Sequence, residues 1–290
     1  MTLSTTADAH GKPLPRLTWT GLIRNGLDYL VGKGYVEESN RRIRYAYEML
    51  NDSNQSGFLD AAGIMGGEMK ENGQLPTWLE SVFGSLHREV RHRSLLEVLG
   101  ALHRSGATLL TTNYDDLLER FCELRRIGRS NKDDILMFKR GDLDGVFHVH
   151  GSYHDPHEVV LDNPQYYQVT QSDEVQNVLR TFLECRTILF VGCGSGLEDP
   201  NFGALLKWTT ERHSNIPNRH CLLIRDGDNL NHKTLVRLKY GPKYDDLARY
   251  LQCLLDEPFK GLPNSESSRI GKQAGNFTVL TQPISERKAK

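Results

Sequence analysis

From residue 107 onward, short apolar runs alternate with amphipathic helical stretches, and this alternation constrains the fold more than any other feature of the chain. Ala107-Thr-Leu-Leu-Thr-Thr112, Val146-Phe-His-Val149, Thr187-Ile-Leu-Phe-Val191 and His220-Cys-Leu-Leu-Ile224 are all strand-sized. The segments 115–124, 173–185, 200–212 and 244–255 carry apolar residues at helical spacing. Strands that alternate with helices imply βαβ units and a parallel sheet. Thr187–Val191 is apolar throughout, the pattern of a strand buried on both faces of such a sheet. The expected class is therefore α/β, with a doubly wound, mainly parallel, Rossmann-like sheet. In sheets of this kind ligands bind in the crevice beyond the carboxyl ends of the strands. That rule selects the residues after Thr112, after Val149 and after Val191.

Upstream the pattern differs. A helix is expected over 20–31, and from Glu37 to Arg104 every signal is helical, interrupted by a glycine-rich loop or helix break at 63–73. This divides the chain into a Rossmann-like domain over 1–34 and 105–257, a helical insertion over 35–104, and a polar tail over 258–290 expected to be disordered. The 290 residues are enough for a domain with a subdomain and a core that needs no staples. A net charge of −1 excludes, from bulk charge, a strongly basic nucleic-acid binder. No apolar run reaches the roughly 18 residues of a membrane span, and the first ten residues lack the basic and apolar regions of a secretory signal. Five cysteines without any C-x-x-C pair fit a reduced, cytoplasmic chain with no zinc knuckle.

The first strand end reads Thr111-Thr-Asn-Tyr-Asp115-Asp116. Asp115 or Asp116 can cap the following helix without any further role, whereas Asn113 precedes the cap and lies at the crevice. The second reads Phe147-His-Val-His-Gly151. Its two histidines alternate, so a regular strand points them to opposite faces and they cannot share a metal. His150, beside a glycine, is the one placed to reach the crevice, and its titration near neutrality suits a base. The third reads Val191-Gly-Cys-Gly-Ser-Gly196, whose glycines allow close backbone approach to a phosphate or ribose, or form a plain strand-to-helix turn.

Taken together, Thr-Thr-Asn-Tyr-Asp, His-Gly, and Phe-Val-Gly-Cys-Gly followed by Asp-Pro-Asn resemble the sirtuin-like domain of bacterial and fungal defence or signalling proteins. The order, the spacing and the preceding helical insertion agree, and Pro15-Arg-Leu-Thr-Trp19 resembles the start of that family's first helix; the likeness covers about residues 13–257. It implies that NAD binds across the sheet as substrate. Asn113 would position a water or ribose hydroxyl, and Asp115 would lie near the carboxamide. His150 would act as base or hold the ribose. Gly192, Gly194 and Ser195 would line the adenosine half.

Two departures shape the reading. Zinc-bearing relatives that deacylate peptides carry paired C-x-x-C cysteines, absent here, so the resemblance points to the metal-free branch that cleaves NAD to nicotinamide and ADP-ribose. The family also opens with an apolar strand and a Gly-Ala-Gly-x-Ser phosphate loop, where this chain has Met1-Thr-Leu-Ser-Thr-Thr-Ala7. The sheet is thus expected to lack its first strand, through truncation or a changed site. Three readings follow: an NAD hydrolase, a nucleotide-binding or regulatory domain without turnover, and a scaffold with a protein partner, homo-oligomeric or regulatory.

Overall fold

The computed structural model describes residues 5–8, 12–51, 55–193, 220–228, 235–256 and 277–281. Among these are ten helices: α1 (Trp19–Gly32), α2 (Arg41–Asn51), α3 (Gln55–Glu71), α4 (Leu75–Phe83), α5 (Ser94–Arg104), α6 (Leu117–Cys122), α7 (Lys132–Arg140), α8 (Asn163–Gln171), α9 (Asp173–Cys185) and α10 (Asp246–Asp256). The strands are β1 (Thr108–Thr111), β2 (Arg125–Ile127), β3 (Gly145–His148), β4 (Thr187–Val191), β5 (Cys221–Ile224), β6 (Val236–Lys239) and β7 (Phe277–Thr281). They form one sheet in the order β2-β3-β1-β7-β4-β5-β6, and every pairing is parallel. The expected helix over 200–212 lies outside the described residues.

Side chains alternate across the sheet and build two cores. Leu109, Val146, Leu189, Leu223 and Val279 face one side, where they join Ile23 and Leu27 of α1, Leu96 and Leu99 of α5 and Leu251 of α10. Leu110, Phe147, Phe190, Leu222 and Leu280 face the other, against Phe138 of α7 and Phe182 of α9. Helices therefore cover both faces, which is the doubly wound arrangement.

The segment 277–281 corrects the expectation of a disordered tail and of an absent central strand. Phe-Thr-Val-Leu-Thr pairs with β1 on one side (Thr108↔Thr278 to Thr111↔Thr281) and with β4 on the other (Thr187↔Phe277 to Val191↔Thr281). Thr278, Val279, Leu280 and Thr281 are all fully buried. To one side of β7 the chain runs β1, β3 and β2; to the other, β4, β5 and β6. β7 thus occupies the switch point that the first strand holds in the order 3-2-1-4-5-6. A C-terminal segment fills the slot, because two parallel strands with unpaired inner edges leave buried N–H and C=O groups that must be satisfied by some strand.

The glycine-rich stretch 63–73 is also corrected. α3 runs unbroken through Gly63, Gly66 and Gly67 to Glu71. Ala61, Ala62, Met65 and Met69 recur at helical spacing and are completely buried, and that burial outweighs the cost of about 1 kcal/mol that each helical glycine carries.

Candidate functional site

All seven strands being parallel, their carboxyl ends share one rim. Four adjacent ends deliver, in order, His150 after β3, Asn113 after β1, Thr281 of β7 and Gly192 after β4. At about 4.8 Å per strand, this stretch of rim is about 14 Å wide, the scale of a dinucleotide half.

The loop after β1 is held by its own polar groups. The Asn113 amide donates to Thr111 Oγ1 at 3.0 Å, and Asp115 Oδ1, one residue before the N-cap Asp116, accepts the Leu117 amide at 3.2 Å; the Asp116 side chain makes no capping bond. Thr112, Asn113, Tyr114 and Asp115 form one wall of a small recess, with free space of about 30 Å³; Leu17, Thr18, Trp19, Leu22 and Phe83 form the other. The Pro15–Trp19 segment thereby faces the Asn113 loop, with Thr18 capping α1 by accepting the Gly21 amide at 2.9 Å. Asn113 is only 4% exposed and His150 only 3%, so both are more enclosed than residues at an open strand end.

The structure brings Asn113 and Asp115 into the same recess and places His150 one strand away, its ring edge-on to Tyr166 at 5.1 Å. Gly151 takes a φ of +79°, and a Cβ there would come within 2.3 Å of the Glu158 carbonyl oxygen. Only glycine permits the turn that presents His150. Gly192 has a φ of +69°, so the chain turns sharply at the end of β4, where the sequence pattern asked for backbone freedom. Gly194 and Ser195 lie outside the described residues.

Two clusters escaped the sequence reading. His148 is fully buried; its Nε2 pairs closely with Glu119 of α6, and its Nδ1 donates to the carbonyl oxygens of Asn113 at 3.1 Å and Gly151 at 3.3 Å. One imidazole thus ties the Asn113 loop to the His150–Gly151 turn. Burial alone would push its pKa down, but the Glu119 carboxylate, with Asp115 behind it, outweighs burial and holds the ring above its ordinary value. The second cluster centres on Asp116. Its Oδ2 accepts from Arg120 Nε (2.7 Å), Tyr153 Oη (2.9 Å) and His154 Nε2 (3.0 Å). Burial would raise this carboxyl, but the bonds from His154, Arg120 and Tyr153 hold it below the usual carboxylate range.

The His148 pair sets a pH dependence. A raised folded pKa gives a contribution that is complete below the ordinary histidine value and lost as pH rises through the folded value. We expect Glu119→Gln to lower Tm most at pH 6, with the gap to the parent protein narrowing as pH increases. Thermal melts of the two proteins across pH 6–9 measure this, and a constant gap would show that the pair carries no charge.

Among the described residues, no group of three or more His, Cys, Asp and Glu side chains could hold a metal ion, and no helix is long and apolar enough to cross a membrane. The sheet is of the doubly wound parallel class, whose members bind ligands at the switch point, where the polar loops gather here. Residues 107–244, from the start of β1 to just before α10, match the family model of the SIR2-like domain. Over these residues, just under half of the chain, the sequence is similar to the SIR2-like domain.

Proposed function

We propose that the chain is an NAD hydrolase, which cleaves the nicotinamide–ribose bond to give nicotinamide and ADP-ribose. The observation that supports this best is the placement of Asn113, Asp115 and His150 on neighbouring strand ends at the switch point of a SIR2-like domain. The glycosidic bond breaks with its electron pair passing to the pyridinium nitrogen, which leaves nicotinamide neutral and the ribose C1 oxocarbenium-like. A water attacks C1, and His150 takes its proton. Asn113 holds the water or a ribose hydroxyl by its amide. Trp19, Leu17, Leu22 and Phe83 give the recess an apolar wall that an aromatic ring could pack against once the recess widens, and Asp115 among its lining residues suits a carboxamide N–H. Gly192 admits the close backbone approach that the adenosine half requires.

A second reading is favoured by one sequence observation. The central strand is followed by Gln282-Pro-Ile-Ser285, with no glycine to cradle a pyrophosphate. On that reading the domain binds ADP-ribose-type nucleotides without turnover. Incubation with NAD, assayed for free nicotinamide, together with thermal-shift titration by ADP-ribose, separates the two. Release of nicotinamide supports the hydrolase, a shift without release supports the binding domain, and neither result would overturn both.

A further inference from the structure

The Thr111 hydroxyl, at the end of β1, has its full hydrogen-bonding capacity of one donor and two acceptors in use. It donates to the Thr281 carbonyl oxygen at 3.4 Å, accepts from the Thr281 hydroxyl at 2.9 Å, and accepts from the Asn113 amide at 3.0 Å. The same Thr281 carbonyl takes the Thr112 amide at 3.0 Å and the Thr112 hydroxyl at 3.3 Å. Thr111, Thr112 and Thr281 are all almost completely buried. A network of this kind, saturated and shielded from water, resists rearrangement more than the same bonds would at a surface.

The strand itself does not need this hydroxyl. The Thr111↔Thr281 pairing is made by the backbone, and valine has the same shape, buries better and favours strands equally. A buried threonine here therefore spends its polar atom on something other than the ladder, and the atom it reaches is the acceptor of the Asn113 amide. We propose that Thr281 is a positioning residue: the C-terminal strand, 170 residues from Thr111 in sequence, fixes the main chain that presents Asn113. This inference rests on the reading of Asn113 as a site residue. It makes the site incomplete without the C-terminal segment, although the SIR2-like match ends at residue 244.

The test uses full-length Thr281→Val and Thr281→Ser. Amide hydrogen exchange at Asn113 is measured beside that at Leu110, which reports opening of the sheet. In Thr281→Val, exchange at Asn113 should accelerate about tenfold, the order expected for weakening one hydrogen bond, while Leu110 keeps its parental protection; Thr281→Ser should restore the parental rate. Nicotinamide release should show kcat lowered and KM within about twofold in Thr281→Val, as for a group that acts through orientation. Thr281→Ala removes the same hydroxyl without adding a methyl group and stands in if Thr281→Val does not fold. Parental exchange at Asn113 in a folded valine variant would overturn the inference. A parent that releases no nicotinamide would overturn the hydrolase reading alone, since the exchange measurement still decides the role of Thr281.

Discussion

Leu280→Asp is expected to abolish the cooperative native state. Leu280 lies in the middle strand of the sheet, fully buried, among Leu110, Phe147, Phe190 and Leu222. Truncating a buried leucine to alanine costs about 2–5 kcal/mol through lost transfer energy and the cavity left behind. An aspartate adds the penalty of an unpaired charge or a protonated carboxyl without partners, several kcal/mol more. The sum is comparable to the whole stability of an ordinary domain, about 5–15 kcal/mol. Since β7 supplies the ladder for both β1 and β4, its loss separates the two halves of the sheet rather than fraying an edge. Leu254→Asp on α10 is the control: that side chain is 40% exposed, and surface changes usually cost within about 0.5 kcal/mol. Far-UV circular dichroism and thermal melts should show a parental transition for Leu254→Asp and none for Leu280→Asp. A parental transition in both would mean that residues 277–281 do not fill the central slot.

The strands legible from sequence were those whose apolar runs are long or bounded by glycine. Thr187–Val191, β1, β3 and β5 lie inside the sheet and are buried on both faces, so their composition announces them. β2 and β6 were missed for the opposite reason. Arg125-Arg-Ile127 and Val236-Arg-Leu-Lys239 are edge strands, where charged side chains reach solvent and blunt pairing with other chains. β7 was missed because its five residues sit within a long polar stretch whose average composition argues for disorder, and because a parallel strand's partners need not be near it in sequence. The same limit applies at the site. Asn113, Asp115, His150 and Gly192 are visible as polar or glycine residues where strands stop. The His148–Glu119 pair and the Asp116, Tyr153 and His154 cluster join residues 29 to 38 apart, and no periodicity encodes such a meeting. The alternation of His148 and His150 was the one available signal. It placed the two on opposite faces, and His148 proved to be the tie between two loops.

Asn113→Ala is expected to lose at least a hundredfold in the rate of nicotinamide release, with His150→Ala comparably impaired. A preorganised polar group aimed at the reacting centre contributes on the order of 10²–10³ in rate, and a positioned base about 10²–10⁴. Asn113 is 4% exposed, so its truncation also costs stability; the main-chain bonds to Thr111 and His148 do not depend on its side chain and should hold the loop in place. Rates are therefore compared at temperatures where parent and variants are equally folded, as judged by their melts. If His150 is the base, the parental rate rises with pH through the titration of this imidazole, and His150→Ala abolishes that limb while Asn113→Ala retains it. The two variants thus differ in the shape of the pH profile even where they agree in magnitude, which separates a group that holds the water from one that takes its proton. Parental rates in both variants would remove Asn113 and His150 from the reaction and place its chemistry elsewhere on the rim.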